Sequence, residues 1–333
     1  MENLLGLPSP REDDALVKMA DWVELTALLN ANRTASKEDL KKALLREPDP
    51  AEDGTFQTRR STDQRIEATV SDVFNELEDR TRACGGSGPR TPSYPFVLDG
   101  TLSVLSMQPN DIDSSNFLYL FLLAVTRSDM SAGARVKDKI DPTEVFEQLC
   151  AEVLLRFWGG ASDHSDVMIF GTAQSKVAGA KRFRANIDKL SERLQEGDGW
   201  KAGSQAPGGG DGGLDIAVWR RFEDKRPGGL VGFAQCKTGD HWTDHLTKLN
   251  PRKFLDKYMK TVMAIEPIRL YLVPCRVSRH RWREHTLDGG LLFDRCRIVQ
   301  YAGSMTSATQ VACRKWLDAT MALQLSKKAT VTQ

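Results

Sequence analysis

Through roughly the first third of the chain, apolar residues return every three to four positions; past residue 141, helical runs alternate with short runs of strand character. Leu16, Met19, Trp22, Val23, Leu25 and Leu29 keep near-helical spacing over residues 13–29. Ser36, with Asp39 three residues on, is an N-cap signal for the next helix, since oxygens there satisfy amide hydrogens left without partners in a first turn. A third helix is expected over residues 61–84, stopped by Gly85-Gly86, and an apolar one over residues 115–126. Residues 127–140 are polar and rich in small side chains, so the boundary is set there. Residues 1–130 are thus expected to form a mainly helical regulatory or partner-binding domain, and residues 141–325 a second domain.

In that second part, Asp141-Pro142-Thr143 reads as a helix start, and Val145, Phe146, Leu149, Val153, Leu154 and Phe157 form one apolar stripe before Gly159-Gly160. A strand over 167–170, a basic amphipathic helix over 181–194 and a glycine-rich loop at 207–213 follow. Strands over 214–219 and 230–237, with polar turn material between, read as a hairpin. A helix over 251–265, a strand over 268–273, a short helix over 279–285, a strand over 297–301 and a final helix over 306–325 complete the pattern. Such alternation predicts an α/β architecture, a mixed sheet flanked by helices.

Composition narrows the classes. The chain has 333 residues, 40% of them hydrophobic, enough for one large or two ordinary domains. Residues 1–10 lack a basic region followed by an apolar run, and no stretch reaches the roughly 18 apolar residues of a membrane span. Six cysteines lie apart from one another and from any histidine cluster, which argues against zinc and against a disulfide framework; they read as reduced thiols in a cytoplasmic protein. The net charge of +1 hides an asymmetry. Residues 1–130 carry 14 Lys+Arg against 22 Asp+Glu, a net of −8, whereas residues 131–333 carry 32 against 23, a net of +9 that suits a polyphosphate partner.

Hydrolysing a phosphodiester near neutral pH requires a cation held by hard oxygen ligands, a water to attack, and positive charge where the phosphate gains electrons. Side chains two apart on a strand share a face, so a hairpin sets Asp215 beside Gln235 and Lys237. Asp215, the Gln235 amide oxygen and the Cys236 backbone carbonyl then make an oxygen-rich set for Mg²⁺, with Mn²⁺ able to substitute, and Lys237 is the cation for the water or the transition state.

The run Phe146-Glu147-Gln148-Leu149, the turn Gly210-Asp211-Gly212-Gly213-Leu214-Asp215-Ile216-Ala217 and the strand Ala234-Gln235-Cys236-Lys237 together resemble the Mrr-type pattern of the PD-(D/E)xK, restriction-endonuclease-like nucleases. The resemblance spans residues 141–301. It implies a helix bearing "FE", a "DGGxD" turn into a strand and a "QxK" strand, with Glu147 as a further acidic contributor to the metal site. Glu144, one turn earlier, is the positional rival of Glu147. The chain departs from the commonest form of the pattern in having Gln rather than Glu or Asp in the third motif, and in a long insertion between Phe170 and Trp200. Asp211 reads as a turn former. His241 and His245, four apart, lack a third partner and read as surface or supporting positions.

Two basic clusters are candidates for following a nucleic-acid backbone. One holds Lys176, Lys181, Arg182, Arg184, Lys189 and Arg193; the other holds Arg276, Arg279, His280, Arg281 and Arg283 around Trp282. The resemblance implies a metal-dependent DNA endonuclease of the bacterial restriction or antiphage defence kind, with DNA as substrate. No GxxxxGK[ST] loop occurs, so any nucleotide-driven step would need a helicase or ATPase subunit or another defence protein as partner; an oligomer is compatible with the chain. The alternatives are a non-catalytic nucleic-acid binding module, or an interaction subunit, on the same scaffold.

Overall fold

The computed structural model describes residues 10–11, 15–45, 56–85, 93–108, 116–170, 180–207, 212–302 and 307–331. The chain divides into two compact units. One comprises Met1–Asp129, Arg276–Ser278 and Arg314–Gln333; the other comprises Met130–Cys275 and Arg279–Cys313. The short stretch at Arg276–Ser278 and the end of the last helix thus cluster with the first unit.

The first unit contains α1 (Leu16–Leu29), β1 (Thr34–Ser36), α2 (Lys37–Leu44), α3 (Phe56–Gly85), β2 (Phe96–Leu98), β3 (Val104–Met107) and α4 (Phe117–Arg127). The Ser36–Asp39 cap forms in full: the Ser36 N–H donates to Asp39 Oδ2 at 2.8 Å, and the Asp39 N–H to Ser36 Oγ at 3.2 Å. Helices alone do not describe this unit, because β1, β3 and β2 pair antiparallel into a small sheet. Strands of three or four residues are too short to establish a period of two, so patterning could not announce them. The core includes a buried polar network. Arg80, fully enclosed, donates to Asp21 at 2.7 Å and to the Val17 carbonyl at 2.8 Å, and pairs with Glu24 at 2.9 Å and Glu76 at 3.0 Å. The hydroxyls of Tyr94 and Tyr119 donate to Glu24 Oε1 at 2.7 and 2.8 Å, so this buried carboxylate has the partners its burial demands.

The second unit contains α5 (Pro142–Phe157), β4 (Ser165–Ile169), α6 (Ala180–Leu194), β5 (Ile216–Arg220), β6 (Leu230–Cys236), α7 (Pro251–Tyr258), β7 (Ile268–Leu272), α8 (Trp282–Gly289), β8 (Leu291–Phe293) and α9 (Arg295–Ala302). Its five strands lie in the order β4-β5-β6-β7-β8. β5 runs antiparallel to both of its neighbours, β4 and β6, and β7 and β8 run parallel to β6, giving the expected mixed sheet. α5 starts at Asp141, whose carboxylate accepts the Thr143 N–H at 2.9 Å, and buries Val145, Phe146, Leu149, Val153 and Leu154. β6 passes so close to Trp158 and Leu270 that a Cβ on Gly232 would come within 2.6 Å of Leu270 Cδ1 and 2.9 Å of Trp158 Cζ2. A second apolar cluster joins Phe183, Ile187, Leu190 and Leu194 of α6 and Phe254, Leu255 and Tyr258 of α7 to Ala217, Trp219, Val231 and Phe233 of the sheet.

Three expectations change. Residues 297–301 are helical, within α9, and the last strand is Leu291–Phe293. Asp294 caps a helix here: its Oδ1 accepts the Arg297 N–H at 3.1 Å. α7 stops at Tyr258 rather than running to 265, since the backbone around Met259 is claimed by the 199–201 segment. The Lys201 N–H donates to the Tyr258 carbonyl, and the Lys260 N–H to the Gly199 carbonyl, both at 2.9 Å. Cys150, Cys236 and Cys313 carry free thiols, whereas Cys84 and Cys296 are each oxidised, so six reduced thiols are not what the fold contains. Disulfide formation depends on Cα separation and Cβ direction, which sequence spacing does not carry. Among the described residues, no helix is long and apolar enough to cross a membrane.

Candidate active site at the end of the central hairpin

Gly212 and Gly213 turn the chain into β5 at φ of 68° and 90°, a backbone region that only glycine enters without strain. Asp215 follows, one residue before β5, and is pinned on both sides: its N–H donates to the Ala234 carbonyl at 2.9 Å, and its carbonyl accepts the Phe170 N–H at 2.7 Å. Continuing the β5–β6 register, in which Ile216 faces Ala234, brings Asp215 opposite Gln235.

The Asp215 carboxylate is 4% exposed. Its Oδ2 accepts the Cys236 N–H at 2.7 Å and lies 3.9 Å from Lys237 Nζ. Lys237 is anchored by its own N–H, which donates to the Leu272 carbonyl at 3.0 Å, and its side chain stays partly open to solvent. Gln235 has no exposed surface, and neither its Oε1 nor its Nε2 has a hydrogen-bond partner. Leaving a buried polar group unmatched costs about 1–3 kcal/mol, so a wholly buried amide without a partner is unusual.

Cys236 alternates with Gln235 and Lys237 and therefore turns to the other face, where its thiol is hydrogen-bonded to Cys150 of α5. Burial pushes both thiols up from their ordinary range, and the charges of Asp215 and Glu147 raise them further. The charge of Glu147 thus reaches both thiols from α5, and its Oε2 is buried. Glu144 lies in the first turn of α5, where a carboxylate complements the helix dipole.

Tyr271 of β7 stands opposite Gln235 in the parallel register and donates its hydroxyl to the Trp242 carbonyl at 2.8 Å. Burial, then the charge of Asp215, pushes its phenol up, so it remains a protonated donor at neutral pH. Sequence reasoning passed over Tyr271, because pairing with Gln235 depends on a parallel register fixed by tertiary structure. Its signal was only an aromatic residue between the two leucines of that strand. His285 was missed likewise. It is buried with its ring centroid 4.9 Å from that of Trp242.

Among the described residues, no group of three or more His, Cys, Asp or Glu side chains could hold a metal ion. What the hairpin does assemble is a carboxylate, a buried amide and a backbone carbonyl at Cys236. Gln235 Oε1 lacks a donor, and a hard cation is one species that would satisfy it, so these residues fit Mg²⁺ or Mn²⁺. His241 and His245 are exposed on the single 3-10 turn after β6, away from such a role.

Lys181 is exposed, Arg182 donates to the Phe170 carbonyl at 3.1 Å, and Arg184 lies 5.3 Å over the Trp200 ring. Arg281 pairs with Glu284 at 2.6 Å, Arg279, His280 and Arg283 are exposed, and Arg276 pairs with Glu76 within the first unit at 3.5 Å. Lys176, Gly210 and Asp211 lie outside the described residues. Compared with protein-family models, with curated proteins and with solved structures, the chain gives no match.

Proposed function

We propose that the second unit is a metal-dependent nuclease of the PD-(D/E)xK class, Mrr type, that hydrolyses DNA phosphodiester bonds. The observation that carries this reading is the buried, unmatched Gln235 amide facing Asp215, with Lys237 3.9 Å from the same carboxylate. Support also comes from order. The "FE" pair falls on α5, the glycine turn leads into β5, and the "QxK" residues end β6, in the sequence that the resemblance requires. Mg²⁺, when bound, supplies a Lewis acid that eases deprotonation of water and offsets charge gathering on the phosphoryl group. Asp215, Gln235 Oε1 and the Cys236 carbonyl would hold it, with Glu147 as the second carboxylate. The Cys236 N–H holds the Asp215 carboxylate in its orientation. Lys237, partly open to solvent, can orient the attacking water or approach a non-bridging oxygen of the phosphate.

A role in restriction or antiphage defence, with a helicase, ATPase or other defence protein as partner, extends this reading. The test is incubation of the purified protein with plasmid, linear duplex, single-stranded DNA and RNA, in Mg²⁺ and in EDTA. Cleavage of DNA in Mg²⁺ that falls by about 10²–10³-fold in Asp215→Asn and in Lys237→Ala is the expected result. Undiminished cutting by both variants, or full cutting in EDTA, would reject it. A non-catalytic binding module would instead leave every substrate intact.

A further inference from the structure

α6 carries two stripes at helical spacing. Phe183, Ile187, Leu190 and Leu194 are buried, and one position back in each case stand Arg182, Asn186, Lys189 and Arg193. That polar stripe does not simply face solvent. Together with Val167 and Ile169 of the edge strand β4 it lines a groove of about 310 Å³. Arg193 is paired with Asp166 and lies 4.9 Å over the Trp219 ring, while Lys189 is exposed. Three cations against the one carboxylate of Asp166 leave the groove positive.

Its position relates it to the hairpin. Arg182 closes one end by donating to the Phe170 carbonyl, and the Phe170 N–H donates in turn to the Asp215 carbonyl. From Arg182 to Arg193 is eleven residues of helix, about 16 Å at the α-helical rise, and a DNA strand presents a phosphate roughly every 3.4 Å of axis. The groove is thus long enough to meet several successive phosphates of a strand whose neighbouring phosphate lies at the candidate active site. Aliphatic Val167 and Ile169 offer surface to deoxyribose, and Asn186 adds an uncharged donor.

We infer that this groove binds the sugar-phosphate backbone of the DNA strand flanking the scissile bond, independent of base sequence, through Arg182, Asn186, Lys189 and Arg193. The inference rests on the nuclease reading for the strand's location. It assigns α6, which lies in the insertion between Phe170 and Trp200, a role in holding substrate.

Equilibrium binding of a fluorescent duplex in EDTA tests it without relying on hydrolysis. Each lost phosphate contact should weaken binding about tenfold at 50 mM salt and reduce the slope of log K against log salt by roughly 0.9. Lys189→Ala should show one such step, and the Arg182→Gln/Lys189→Ala pair two; Arg226→Gln, an exposed cation on the β5–β6 turn, should show none. Lys189 is exposed and its replacement does not disturb the core, so loss of binding with an unchanged melting temperature supports the groove. Wild-type affinity and slope in the double variant, or no duplex binding by the wild type at low salt, would overturn it. Failure of the nuclease reading shows up separately, as DNA cleavage that Asp215→Asn leaves intact.

Discussion

Replacing Gln235 by methionine separates what the amide does for stability from what it does for chemistry. Methionine keeps the volume and removes two buried polar atoms that have no partners. In EDTA the variant should gain about 1–3 kcal/mol of unfolding free energy, measured by denaturant titration, and should lose DNA cleavage. A loss of stability would mean that the amide is satisfied in the folded protein. Glu147→Gln, which keeps size and removes charge, should cut poorly, with partial recovery at high Mn²⁺, whereas Glu144→Gln should cut normally; the reverse pattern would move the acidic contributor one turn along α5. His285 provides a pH signature. Burial and then the charge of Arg281 hold its imidazole below the usual histidine range. A depressed value means that the neutral form is favoured in the folded state, so its contribution to stability is present above the unfolded pKa and is lost as pH falls through the folded one. Wild-type protein should therefore lose more stability than His285→Gln between pH 7 and pH 5; parallel pH profiles would refute this. The nearness of Asp215 to Gln235 and Lys237 was legible in the sequence, because strand periodicity and a hairpin suffice to bring them together. Tyr271 and His285 were not, since each meets its neighbours only through contacts distant in sequence.

At the scale of elements, helices with caps were legible and short strands were not. Ser36 and Asp141 each sit where a side-chain oxygen takes an amide hydrogen of the first turn, and both starts were readable from residue type alone. Asp294 is the same device, passed over in favour of a strand at 297–301; β propensity yields to a cap when the helical face of Cys296, Ile298, Val299 and Ala302 can be buried. The β6 glycine illustrates a different limit. Gly232 interrupts a strand pattern, which signals a close approach without naming what approaches. The approaching groups are Trp158 and Leu270, and the clash is with side chains that close-packed neighbours hold in place. Gly232→Ala should therefore cost about 1–3 kcal/mol, read by denaturant titration, and because β6 carries Gln235, activity should fall with it. A neutral effect on stability would show that Leu270 and Trp158 have room to move.

The whole molecule is less polarised in charge than its sequence suggests. Arg276, Arg314, Lys315, Lys327 and Lys328, against Asp318, belong to the first unit, and they reduce its net charge from the −8 of residues 1–130 to −4, leaving +5 on the second. Membership of this kind follows from packing, as where Trp316 meets Phe121 with ring centroids 5.6 Å apart, and no periodicity along the chain could show it. Each unit also has its own interior: the Arg80 network lies wholly in the first, and the apolar cluster around Phe183, Phe233 and Phe254 wholly in the second. Removing Arg80 leaves Asp21, Glu24 and Glu76 facing one another with less positive charge among them, and stranding one side of a buried ion pair costs about 3–5 kcal/mol. Arg80→Met should accordingly weaken the first unit selectively. Hydrogen-exchange mass spectrometry is the direct measurement: amides of α1 and α3 should exchange faster, while those of β5 and β6 keep their protection, because the Asp215–Cys236 hydrogen bond and the cluster on the sheet do not draw on Arg80. Equal loss of protection across both sets of amides would mean that the two interiors unfold as one.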